Sequence, residues 1–157
     1  MQKIVTHLWF DEQAQEAVDL YVSIFEDARI LSTQHLDAPG EGNEGSVLAI
    51  DFQLAGQRFH AINGGPYFQF TPAISLYINC ETQEEVDGIW DTLVAEGEPV
   101  ECGWLTDKYG ISWQVVPTIL EQLLADDNLA KRTAVSKAMF KMKKLNIKEL
   151  QTAYDEA

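Results

Sequence analysis

The feature that most constrains this chain is an internal duplication of one strand and helix order. Ile4-Val5-Thr6-His7-Leu8-Trp9-Phe10 alternates as a strand, and Asp11 opens a stretch in which Ala14, Ala17, Val18, Tyr21, Ile24 and Phe25 recur at helical spacing. Three β-prone segments follow at Arg29 to Gln34, Ser46 to Leu54 and Gln57 to Asn63. The last two are joined by a hairpin turn at Ala55-Gly56, and Asp37 to Gly45, with Pro39, Gly40, Gly42 and Gly45, reads as a flexible loop. The order then starts again. Ile74 to Asn79 alternates, Glu84 to Glu96 places Val86, Ile89, Trp90, Leu93 and Val94 at helical spacing, and β segments follow at 99–102, 104–108 and 111–116. The two helices superpose with a shift of 69 residues and the strands with a shift of 68, which sets His7 and Trp9 on Ser75 and Tyr77.

Two βαβββ modules followed by a helical tail predict an α+β fold. The chain of 157 residues is expected to form one domain, with module one at 1–66, module two at 72–117 and a helical extension at 118–157. In the extension, Thr118 with Glu121 has the pattern of a capping box before Leu120, Leu123 and Leu124, and Asn146 with Glu149 repeats it before Ile147, Leu150 and Tyr154. Between them, residues 129–143 read as a Lys-studded amphipathic helix with a packing stripe of Leu129, Ala134, Ala138, Met139 and Met142.

Charge excludes one class of partner. The formal net charge is −14, so a nucleic acid, which needs a basic footprint, is not expected. Seven of the eleven basic residues follow position 130 against three acids there, giving +4 over 131–157 and −18 elsewhere, which suggests docking of the tail. No apolar run reaches membrane-spanning length and no targeting segment opens the sequence, so a cytoplasmic protein is expected. The two cysteines, Cys80 and Cys102, lack metal-ligand spacing and read as reduced thiols.

The duplicated order resembles the vicinal-oxygen-chelate superfamily, which includes glyoxalase I, extradiol dioxygenases and fosfomycin-resistance proteins. Leu8-Trp9-Phe10-Asp11, Gly45-Ser46-Val47-Leu48, Asn63-Gly64-Gly65-Pro66, Cys80 to Asp87, and Cys102-Gly103-Trp104-Leu105 running into Asp107 to Gln114 look like its PhnB-like group. That group is widely labelled 3-demethylubiquinone-9 3-methyltransferase. A methyltransferase using S-adenosylmethionine would normally carry a glycine-rich turn between a strand and a helix, and Asn63-Gly64-Gly65-Pro66 leads into aromatics and another strand.

The resemblance implies that the two modules form a glyoxalase-like mixed-sheet cup for a small molecule, and that the chain is a homodimer. In metal-dependent relatives four side chains from the first and last strands of both modules hold a divalent ion. Counting from the strand ends puts Val5 and Ala73 at two of these positions, which leaves His7, His60 and Gln114 as the candidates for a displaced metal site and disfavours a metal cofactor. His7 is also the candidate acid–base group of a lyase, isomerase or dioxygenase. The ligand-binding candidates are His7, Trp9, His60, Asn63, Ser75, Tyr77, Cys102, Trp104 and Gln114, an aromatic wall with a few polar groups. His35 is expected at the surface.

Overall fold

The computed structural model describes residues 2–36 and 45–157, so most of the loop expected at Asp37 to Gly45 lies outside the described residues. The chain forms two compact units, Met1–Gln69 and Phe70–Ala157.

In the first unit the order is β1 (Thr6–Phe10), α1 (Ala14–Ile24), β2 (Ala28–His35), β3 (Val47–Leu54) and β4 (Gln57–Asn63). The sheet runs β1-β4-β3-β2, with β1 parallel to β4 and the other neighbours antiparallel. Strand alternation sorts the sheet into two faces. Leu8, Phe10, Ile50, Phe52, Leu54, Phe59 and Ala61 are buried, as are Ala14, Ala17, Val18 and Tyr21 of α1. Each fully buried large side chain contributes on the order of 2 kcal/mol of apolar burial. The other face carries His7, Trp9, Asp51, Arg58 and His60, all partly or fully exposed. The hairpin turn forms at the expected place: Ala55 and Gly56 have φ of 47° and 82°, the positive values a two-residue turn between twisted strands demands.

The second unit repeats the plan with β5 (Ser75–Cys80), α2 (Gln83–Val94), β6 (Glu98–Pro99), β7 (Trp104–Thr106) and β8 (Ser112–Pro117). Its sheet order, β5-β8-β7-β6 with β5 parallel to β8, is that of the first sheet. α2 starts where Thr82 accepts a hydrogen bond from the Glu85 backbone N–H at 3.1 Å, and it buries Val86, Ile89, Trp90 and Leu93. The segment expected at 99–102 pairs only over Glu98–Pro99, because residues 101–104 are taken up by a turn.

The extension forms α3 (Thr118–Leu124), α4 (Leu129–Phe140) and α5 (Ile147–Asp155). Asn146 caps α5 as expected, accepting from the Glu149 N–H at 2.9 Å. The Thr118 and Glu121 capping box does not form. Pro117 occupies the N-cap, Thr118 is already helical, and Glu121 accepts from the Tyr77 hydroxyl at 3.1 Å. α4 stops at Phe140 rather than 143, since the Met142 and Lys143 carbonyls accept from the Cys102 and Gly103 N–H groups at 2.9 and 2.8 Å.

The tail docks on its own unit. Val116 shares a buried cluster with Leu120, Leu123, Val135, Met142, Leu145 and Leu150. Gln83 of α2 donates to the Leu145 carbonyl and accepts from the Ile147 N–H, at 3.0 and 2.7 Å. Lys144 pairs with Asp87 and Asp91 at 3.3 Å each. Part of the tail's positive charge thus meets the acidic side of α2. Among the described residues no helix is long and apolar enough to cross a membrane.

Candidate functional site

The polar groups on the sheet in the second unit's site are set by parity along β5 and β8. Tyr77 and Gln114 are register partners on the parallel pair, as are Ser75 and Ser112. The Gln114 amide donates to the Ser75 hydroxyl at 3.0 Å, which fixes the amide and leaves its carbonyl oxygen to accept. Trp113 and Val115 alternate to the opposite side and are buried. On the face carrying Gln114 lies a groove of about 490 Å³. Tyr77, Gln114 and Val116 form its floor, and Val100, Glu101, Cys102 and Trp104 its rim. Leu120 of α3 and Met139 and Phe140 of α4 supply the facing wall. A volume of this size accommodates a small organic molecule, and apolar walls with a few fixed polar groups are how such pockets bind.

Burial and the Glu121 carboxylate push the Tyr77 phenol up to about 12, so it stays a neutral donor throughout the physiological range. Cys102 sits in a turn, Glu101-Cys102-Gly103-Trp104, whose central residues have φ of 58° and 83° and which is closed by Trp104 N–H donating to the Glu101 carbonyl at 3.1 Å. Its thiol is pushed up by burial first and by Glu101 second. Cys80 is fully buried and its thiol is pushed up to about 12. Neither is an activated nucleophile. Thiol reagents at neutral pH are expected to label Cys102 more slowly than free cysteine and to spare Cys80 until the chain is denatured, with labelling rising as pH is raised. Faster labelling of Cys102 than of free cysteine would contradict this.

Asp107, which the sequence shows only as one member of a longer motif, explains that motif. The side chain is buried, and one carboxylate oxygen accepts from the Tyr109 and Ile111 N–H groups at 2.8 and 3.0 Å while the other accepts from the Trp113 indole at 2.9 Å. The run from Asp107 to Trp113 is therefore a loop wrapped around its own carboxylate. Asp followed three residues later by Gly, ahead of a strand that carries a buried Trp, is the pattern that points to it.

In the first unit the register pairs His7 directly with His60, with ring centroids 6.0 Å apart and planes at 25°. Asp51, the register partner of His60 on β3, is bound by Arg58 through two hydrogen bonds, which hold its carboxyl below the usual range. Val5 and Ala73 precede β1 and β5, so neither stands on a strand as the ligand count requires. The strand positions offer two adjacent imidazoles. Among the described residues no three His, Cys, Asp or Glu side chains converge as a metal site needs, and a catalytic ion typically takes at least three protein donors. His7 and His60 are the two candidate donors that this unit brings together.

Trp9 and Asn63 are held by their surroundings. The Trp9 indole donates to the Gly65 carbonyl at 3.0 Å and its ring meets Phe68 edge-on at 4.9 Å. A Cβ at Gly64 would stand 2.3 Å from the Trp9 ring, so glycine is required there for packing. Asn63 accepts from the Ala14 N–H at 2.8 Å and donates to the Val47 carbonyl at 3.1 Å, tying the start of α1 to β3. It also lines a second groove with Glu12, Gln15, Leu36 and Leu48. His35 is exposed, as expected, beside the Gly45 carbonyl at 2.9 Å. Of the predicted ligand-binding residues, Tyr77, Cys102, Trp104 and Gln114 thus meet at one groove with Ser75 behind them, while His7, Trp9, His60 and Asn63 belong to the first unit. Of the wall from Leu120, Met139 and Phe140, the sequence marks Leu120 and Met139 only as helix packing and does not mark Phe140. Phe140 is 67% exposed beside lysines, a sign visible in the sequence as a large aromatic out of step with a charged helix face.

Two modules of the same βαβββ order, each with its outer strand parallel to the last, define a glyoxalase-like fold. The sequence profile of the family described as 3-demethylubiquinone-9 3-methyltransferase matches residues 2–116. The chain belongs to this PhnB-like family. The PhnB protein of Bacillus cereus, a solved structure described as a putative 3-demethylubiquinone-9 3-methyltransferase, is 40% identical over 74% of this chain and 100% of its own, with a TM-score of 0.69. Protein PA1353 from Pseudomonas aeruginosa is 17% identical over 74% of this chain and 98% of its own, with a TM-score of 0.63, a likeness of fold. No curated protein matches. The family match stops just before α3, so the Leu120, Met139 and Phe140 wall lies beyond it.

Proposed function

We propose that this chain is a small-molecule-binding protein whose ligand sits in the groove between the β5–β8–β7 face and helices α3 and α4, and that it binds without a metal ion. The observation that carries this reading is the convergence of Tyr77, Trp104 and Gln114 with Leu120, Met139 and Phe140 on one largely apolar groove. The methyltransferase reaction in the family description finds little support in the residues. Asn63-Gly64-Gly65-Pro66 is occupied in seating Trp9 and is followed by turns and then β5, whereas a nucleotide-type cofactor normally lies at a helix N-terminus after such a run. A thermal-shift screen of neutral bicyclic aromatics in the presence of chelator tests the proposal. At least one such compound is expected to raise the melting temperature of the native chain and to lose most of that effect in Trp104→Ala and Phe140→Ala. Stabilisation by added metal alone, with no compound active in chelator, would overturn it.

A second reading, an acid–base or metal enzyme, rests on the adjacency of His7 and His60. Metal analysis of protein purified without a histidine tag separates the two. A stoichiometric transition ion lost in both His7→Ala and His60→Ala would favour the second.

A further inference from the structure

Resting on that reading, we infer that the groove selects a ligand whose flat apolar ring carries a positive charge on a short arm, the cation being held between Glu101 and the faces of Tyr77, Trp104 and Phe140. Among the described residues, the lining supplies one carboxylate, Glu101, and contains no Lys, Arg or His. Aromatic faces carry negative potential, so a groove lined by three aromatic side chains and one carboxylate favours a cation and disfavours an anion. The Tyr77 hydroxyl is given to Glu121 and one N–H of the Gln114 amide to Ser75. The floor offers a ligand the Gln114 carbonyl oxygen, an acceptor suited to an ammonium N–H. The Glu121 carboxylate, bound to the Tyr77 hydroxyl, adds a second negative charge at that end of the ring. Met139 and Leu120 supply the apolar wall against which an uncharged ring packs.

Isothermal titration of the full chain, in chelator at physiological salt, with 1-naphthylmethylammonium, 1-naphthalenemethanol and 1-naphthoate tests this. The ammonium compound is expected to bind about tenfold more tightly than the carboxylate, with the alcohol between them. Glu101→Gln should shrink that preference to about threefold or less, while Glu26→Gln, an exposed acid in the other unit that changes the net charge equally, should leave it intact. Equal binding of all three would overturn the charge selection and leave the groove proposal standing. A preference unchanged by Glu101→Gln, or weakened as much by Glu26→Gln, would assign it to the chain's overall acidity and overturn the inference. Binding of none of the three would remove the groove itself and the inference with it.

Discussion

Asp107→Ala is expected to lower the unfolding free energy by about 3–5 kcal/mol, a large loss for the truncation of one side chain. The substitution removes a carboxylate that accepts three hydrogen bonds in a buried setting, and it takes that acceptor from two backbone N–H groups and the Trp113 indole. Each unsatisfied buried donor costs roughly 1–3 kcal/mol. Asp107→Asn should lose less, because an amide retains one acceptor oxygen for the two backbone donors. Chemical denaturation followed by tryptophan fluorescence measures both. A loss under about 1 kcal/mol in Asp107→Ala would mean that water replaces the carboxylate and that the loop is not organised around it.

Gly103→Ala is expected to cost about 2–4 kcal/mol and to loosen the tail. At φ of 83° a side chain is strained, and its Cβ would stand 2.9 Å from Leu145 and 3.0 Å from the Val115 carbonyl. The same turn offers the N–H groups that hold Met142 and Lys143, so the damage falls where the extension meets the sheet. Limited trypsin digestion should therefore cut at Lys143 and Lys144 sooner in the variant. Gly88→Ala is the contrasting case: this glycine lies inside α2 with nothing near its missing Cβ, and alanine should stabilise by about 0.5–1 kcal/mol. Equal stability of the Gly103→Ala and native chains would contradict the docking described for the tail.

The two modules are legible in the sequence because hydrophobic periodicity is set by burial on one face, and both sheets bury one face against a helix. The hairpin at Ala55-Gly56 and the cap at Asn146 are legible because short-range geometry alone decides them. The capping pattern at Thr118 misleads because the helix starts one residue early, with Pro117 at the N-cap and Thr118 already helical, leaving Glu121 to a partner 44 residues away. Site residues on strands follow from alternation: Tyr77 and Gln114 share a face because parity requires it. The wall of the groove does not follow, since Met139 and Phe140 reach it only through the docking of α4, and that docking depends on Val116, Leu145 and Leu150, far apart in sequence. Counting along the chain puts Val5 at a ligand position, yet a register is not fixed until the strands pair.

The most direct test of the groove as the binding site is the behaviour of the four tryptophan indole resonances in a ¹H–¹⁵N spectrum as 1-naphthalenemethanol is added in chelator. The indoles of Trp9 and Trp113 are hydrogen bonded to Gly65 and Asp107, and Trp90 lies on the buried face of α2, whereas Trp104 lines the groove. The Trp104 resonance is expected to shift progressively to saturation while the other three stay in place. A shift at Trp9 with Trp104 unmoved would put the ligand in the first unit and contradict the account.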